Sequence, residues 1–204
     1  MITLALLLAA EEPPPTELVS VSASADGKFA AVETRWVLDG PGFPVARVQI
    51  LDLGSGAVME DSRVTTDPTN ASMGLDGVIA AAHLQAKPTL DRLKIDVPLA
   101  PTPCAASGCG SRSGCAGGVL VPVAISEAGV EGETCPQGWE GTTPTVRLGQ
   151  SVVSTPLERP ACARGWHAAA AYVASGGSVL VLGYEIPGHE GPAPRFLAVA
   201  GSVQ

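Results

Sequence analysis

The chain has 204 residues, 46% of them apolar and 16% charged, which is enough for one core of ordinary size and too apolar for disorder throughout. Twelve basic residues against 20 acidic ones give a formal net charge of −8. That balance disfavours a nucleic-acid partner, because phosphate binding needs clustered Lys and Arg, and equally disfavours an anionic membrane surface.

Residues Ile2 to Ala10 form an apolar run broken only by Thr3, followed by Glu11, Glu12 and three prolines. As a helix this run spans roughly 14 Å, about half of a bilayer core, so it predicts a signal peptide over 1–10 and not a membrane anchor. Residues 11–16 read as a Pro-rich linker, and 17–204 as a single domain with no stable membrane insertion once the signal is removed. In that domain, 24 Gly and 18 Pro argue for many turns and against long helices.

Glu17 to Ser24 alternates apolar and polar residues, and Lys28 to Leu38 follows an Asp26-Gly27 pair. Two apolar runs joined by Asp-Gly predict a hairpin with a type I′ turn, whose positive φ angles Gly accepts without steric cost. Val45 to Leu53 predicts a third strand, with Val48 and Ile50 on one face and Gln49 and Leu51 on the other, and Ala57 to Val64 a fourth. Asp67-Pro68 is a helix-start signal, and Leu75, Val78, Ile79, Ala82 and Ala86 make an apolar stripe that Pro88 is expected to end. Leu90 to Val97 is ambiguous between helix and strand.

Residues 101–118 are Cys-, Gly- and Ser-rich and predict a loop. Strands are predicted at Val119–Ile125, Thr145–Val153, Gly165–Val173, Ser178–Tyr184 and Phe196–Val199. The two ends of the chain resemble each other: each reads as strand, Gly-bearing turn, strand, Gly/Pro loop, strand and Gly-Ser, over 27 residues from Gly27 to Gly54 and 24 from Gly177 to Gly201. The expected fold is therefore mainly β, built from antiparallel meanders in a sandwich or partial-propeller arrangement, with one amphipathic α-helix.

Five cysteines in an exported chain predict disulfides. Cys135 and Cys162, both in turn-like contexts, are the preferred pair. One further pair is expected among Cys104, Cys109 and Cys115, whose spacing lacks the C-x-x-C of zinc ribbons.

Catalytic motifs are not supported. The stretch from Gly108 to Gly114 misses the G-x-G-x-x-G spacing, and no G-x-S-x-G elbow exists. His83 and His167 stand without sequence partners, and Asn70-Ala71-Ser72 matches only a short glycosylation sequon. The two Gly/Pro loops carry the more informative charges: Arg35 and Asp39 near the first, His189, Glu190 and Arg195 around the second. If the meanders pack together, these five residues would meet in a polar binding site; the competing expectation is an ordinary set of turn residues and solvated ion pairs. No catalytic residue, cofactor or metal is assigned. The expected function is an exported, periplasmic or extracellular, non-enzymatic module that binds an envelope protein or small ligand. The competing expectation is a hydrolase or metal-dependent enzyme using the loops around Asp39 and Glu190.

Three stretches carry a resemblance: Ser24-Ala-Asp-Gly-Lys-Phe-Ala-Ala-Val-Glu33 continued through Asp39–Pro44 to Val48–Leu53, Pro156-Leu-Glu-Arg-Pro-Ala-Cys162, and Gly188-His-Glu-Gly-Pro192 with Arg195–Val199. They resemble a bacterial family of predicted secreted proteins, domain-of-unknown-function family 2259. The likeness covers the two ends and, loosely, the helix between, with no counterpart for the Cys104–Cys115 loop. It implies an exported bacterial protein and transfers no activity or catalytic residue.

Overall fold

The computed structural model describes residues 16–38, 40–66, 73–101, 123–136, 138–148, 151–153, 159–188 and 191–201. In chain order the elements are β1 (Glu17–Ser24), β2 (Phe29–Val37), β3 (Pro44–Asp52), β4 (Val58–Thr65), α1 (Leu75–Leu93), β5 (Ile95–Pro98), β6 (Val123–Gly129), β7 (Thr142–Leu148), β8 (Ser151–Val153), β9 (Arg164–Ala174), β10 (Gly177–Pro187) and β11 (Pro192–Gly201). They form three antiparallel sheets, ordered β4-β3-β2-β1-β5, β11-β10-β9 and β6-β7-β8. The mainly β fold with one helix is as expected, and the two ends of the chain do form meanders.

The layers follow from side-chain alternation. On β3, Ala46, Val48 and Ile50 face α1, where Val78, Ala82, Ala86 and Leu90 complete one core. The opposite face of the first sheet offers Val21, Ala30, Val32 and Leu51 to Val179, Val181, Ala198 and Ala200 of the second. The far face of the second sheet buries Leu180, Leu182, Leu197 and Val199 under Val123, Val146 and Val153 of the third. The stack is thus helix, sheet, sheet, sheet. Its two middle layers are covered on both faces, which is why Gly177 to Tyr184 of β10 is buried at eight successive positions. Each fully buried Leu or Val here is stabilising by roughly 1.5–3 kcal/mol relative to exposure.

One polar side chain crosses the interface of the middle layers. Gln49 is buried, and its Oε1 accepts the backbone N–H of Ala198 at 3.2 Å. Ala198 sits on β11, an edge strand of its sheet, so Gln49 satisfies a donor that no further strand reaches.

The structure corrects several local expectations. The Asp-Gly hairpin is closed by a four-residue loop, Ala25–Lys28, in which Gly27 alone takes a positive φ (68°) and donates its N–H to the Ser24 carbonyl. Helix α1 begins at Leu75 after an extended Gly74, while Asp67-Pro68 lies outside the described residues. Pro88 does not end the helix, which continues to Leu93 and stops at left-handed Lys94. Pro88 removes one N–H donor, but both it and Leu84, whose carbonyl would have received that bond, are exposed, so the missing bond falls on the solvent side of the helix and not in the core. The segment predicted as one strand over 145–153 is a pair, β7 and β8; of the strand predicted over 119–125, residues 119–122 lie outside the described residues, and β6 (Val123–Gly129) runs past the predicted end at Ile125.

The first turns of the two meanders touch. A Cβ on Gly27 would lie 2.2 Å from Ser175 Oγ and 2.7 Å from the Gly176 nitrogen, and one on Gly176 would lie 2.4 Å from the Gly27 carbonyl oxygen. The β1–β2 and β9–β10 turns are therefore packed backbone against backbone at one end of the sandwich. The β2–β3 and β10–β11 loops emerge at the other.

Candidate functional site

At that loop end, Trp36 is buried near the close of β2, with the Arg63 guanidinium 5.3 Å and the Arg195 guanidinium 5.6 Å from its ring centre. Three strands supply this junction: β2 the ring, β4 Arg63 and β11 Arg195. Guanidinium against an indole face is favourable because the ring presents negative charge there. Arg195 also donates to the Pro194 carbonyl at 2.6 Å. On β3, Arg47 grips Asp61 of β4 through both guanidinium nitrogens in a bidentate pair. Arg63 is exposed and makes no ion pair among the described residues. Tyr184, paired across the ladder with Arg195, stacks on Trp166 at 4.6 Å, and burial pushes its phenol pKa up.

The five sequence-predicted site residues fare differently. Arg195 belongs to this junction. Arg35 does not: its guanidinium pairs with Glu17 at 2.8 Å and Asp76 of α1 at 2.6 Å. Successive strand residues point to opposite faces, so Arg35 lies on the helix side of the first sheet and Trp36 on the side facing β11. Asp39, His189 and Glu190 lie outside the described residues, as do Cys104, Cys109 and Cys115. The loops that carry Asp39, His189 and Glu190 are closed at their bases by Leu38 N–H to Phe43 carbonyl (2.8 Å) and Gly188 N–H to Gly191 carbonyl (2.9 Å). Trp36 and Arg63 escaped the sequence reading, because both sit in strand interiors and only the pairing of β2, β3 and β4 brings them together.

Two other polar clusters lie away from this junction. His83 Nδ1 lies 2.6 Å from Glu33 Oε1, and Ser20 Oγ donates to Glu33 Oε2 at 2.8 Å. The carboxylate stands between the hydroxyl and the imidazole, whereas nucleophile activation needs the imidazole in the middle. His167 is laid against Gly183 with Nδ1 3.0 Å from the Gly165 carbonyl, and no carboxylate among the described residues orients it.

The second cluster is built on the third sheet. Cys135 and Cys162 form the expected disulfide, with Cα atoms 5.7 Å apart. Trp139 donates its indole N–H to the Cys162 carbonyl and stacks under Arg164, whose guanidinium is 3.6 Å from the ring centre. Glu133 forms an ion pair with Arg159, and its carboxylate lies beside both sulfurs: one oxygen and the two Sγ atoms fall within 4.8 Å of one another. The Arg159 guanidinium, then the Cys162 backbone N–H, hold the Glu133 carboxyl below its ordinary pKa of 4.5. A lowered folded-state pKa contributes stability that is full above 4.5 and fades as pH falls through the folded value. The melting temperature of the wild type should therefore drop more steeply on acidification below pH 4.5 than that of Glu133→Gln. Parallel acid-side slopes would show that the pair contributes nothing.

Comparison with known proteins adds one finding. Residues 31–116 match the model of a family described as predicted secreted protein (DUF2259). The match starts within β2, spans β3, β4, α1 and β5, and continues through Cys104, Cys109 and Cys115, the segment for which the sequence likeness offered no counterpart. The closing segments around Pro156–Cys162 and Gly188–Val199 lie beyond it. No curated protein and no solved structure matches the chain. The family description supports an exported protein. No helix among the described residues is long and apolar enough to cross a membrane.

Proposed function

We propose that this chain is an exported, non-enzymatic binding protein, with 1–10 as its signal and the loop end of the sandwich as its contact surface. The reading names an anionic group, a carboxylate or phosphate on a small ligand or envelope protein, as what it binds. The observation that carries it is the gathering of Arg63 and Arg195 around buried Trp36, beside Arg47, in a chain whose formal net charge is −8. Exposed Arg63 presents a planar donor fork suited to carboxylate or phosphate oxygens, while Arg47, paired with Asp61, and buried Arg195 add positive charge beside it. Asp39, His189 and Glu190, outside the described residues, belong to the same proposal as further polar contacts. Whether the protein rests in the periplasm or leaves the cell belongs to the same proposal and is tested by fractionation.

Melting the full chain with inorganic phosphate, citrate and an acidic peptide tests the site. A ligand at 100 times its Kd stabilises by about 2.7 kcal/mol, which raises the melting temperature of a protein this size by roughly 5–10 °C. At least one of the three should do so, and Arg63→Glu should abolish the rise while lowering the unliganded melt by no more than about 4 °C, the loss of its stacking on Trp36. No rise with any probe, or a rise indifferent to Arg63→Glu, would overturn the assignment.

A further inference from the structure

We propose that Glu133, Cys135 and Cys162 form a redox-gated site for a thiophilic divalent cation of the zinc class, closed while the disulfide stands and open once it is reduced. Three observations meet there. One carboxylate oxygen lies within 4.8 Å of both sulfurs, which are bonded to each other in the disulfide; donor atoms around tetrahedral zinc are about 3.3–3.8 Å apart, given metal–sulfur and metal–oxygen bonds of roughly 2.3 and 2.0–2.2 Å, so the sulfurs must separate after reduction to reach that spacing. Glu133 Oε2 is buried and paired with no side chain, while its sister oxygen is held by Arg159 and the Cys162 backbone N–H lies beside the carboxylate. The space for Oε2 exists because residue 141 is glycine: a Cβ there would stand 1.9 Å from it.

The charges balance in both states. With the disulfide intact, the Glu133 carboxylate is matched by Arg159. Reduction by a dithiol transfers two electrons and two protons, turning the protein disulfide into two thiols and the dithiol into its own disulfide. An incoming dication displaces the two thiol protons to solvent. Two thiolates and one carboxylate then carry three negative charges against one from Arg159 and two from the cation. Water completes the fourth position. Trp139, through its bond to the Cys162 carbonyl, keeps the loop backbone in place when the sulfur–sulfur bond opens. Cation and oxidant thus compete for the same two sulfurs, so the site is available to the chain before oxidation and lost after it.

The test uses the full chain carrying Cys104→Ser, Cys109→Ser and Cys115→Ser, so that no other sulfur reports. Cadmium is titrated under a dithiol reductant and, separately, after oxidation, and the ultraviolet thiolate-to-cadmium charge-transfer band is followed. The reduced chain should bind one cadmium, the oxidised chain none. Cys135→Ser should abolish the band, and Glu133→Gln should weaken binding at least tenfold. If the reduced chain melts without cooperativity, cadmium should restore a cooperative melt. Equal binding by oxidised chain, unchanged affinity in Glu133→Gln, or no one-to-one band and no restored melt would each overturn the proposal.

Discussion

Gly176→Ala should lower stability by about 3 kcal/mol and the melting temperature by roughly 6–12 °C, although it adds one methyl group at an exposed turn. The new Cβ would meet the Gly27 carbonyl oxygen at 2.4 Å and its carbon at 3.0 Å. Both are backbone atoms of a loop pinned by the Gly27 N–H to Ser24 carbonyl bond, so no flexible side chain can swing aside. Relief requires the two turns to part, which loosens the interface of the middle sheets nearest them. Gly27→Ala meets the same obstacle from the other side and adds a left-handed backbone at φ 68°, which costs an L-residue about 1–2 kcal/mol. Gly132→Ala separates the two effects. Its φ is 77°, yet nothing lies within 4 Å of a Cβ there, so only the backbone cost applies. Denaturant melts should rank Gly27→Ala as costlier than Gly132→Ala by at least 1 kcal/mol. Equal costs, or a Gly176→Ala variant within 1 kcal/mol of wild type, would mean that the two turns do not press on each other.

Removing the disulfide by the double change Cys135→Ala, Cys162→Ala should cost about 3–4 kcal/mol. The bond closes a loop of sequence separation 27, and the chain-entropy model assigns that length a loss of this size from the unfolded state. The effect is local as well as entropic, since the bond ties the β6–β7 loop to the residue two places before β9. The third sheet depends on few other anchors. Glu127 of β6 accepts the backbone N–H groups of Gly165 and Trp166 and the Thr142 hydroxyl, and Trp166 donates its indole N–H to the Thr142 carbonyl at 3.1 Å. Chemical denaturation of the double variant, compared with the oxidised wild type, measures the cost. A loss below 1 kcal/mol would show that the third sheet is held by its packing and these polar contacts alone.

The sequence made the strands legible where one face is buried and one is wet. Glu17 to Ser24 reads as a strand because alternation survives, and the helix stripe from Leu75 to Ala86 is legible because α1 buries one side only. The disulfide was legible because each cysteine sits in a turn. Illegible were features set by what lies beyond an element. The third sheet as a separate layer was hidden, because β7 and β8 are short and the one sign of the break, Gly149-Gln150, is a single glycine inside a segment that otherwise reads as one continuous strand. The persistence of α1 through Pro88 depends on which way a carbonyl points. The opposite placement of Arg35 and Arg195 depends on parity along β2, which the single fact of strand pairing converts into opposite faces.

The order of the layers differs from the order of the chain. The inner pair of sheets joins β1–β3, within residues 17–52, to β9–β11, within 164–201, while the intervening stretch supplies the outer helix and the outer sheet. The central apolar seam therefore cannot close until the last strands have been synthesised, more than a hundred residues after its first half. A nascent polypeptide of this design stays without its seam through translation, with the first half of that apolar surface exposed until the last strands arrive.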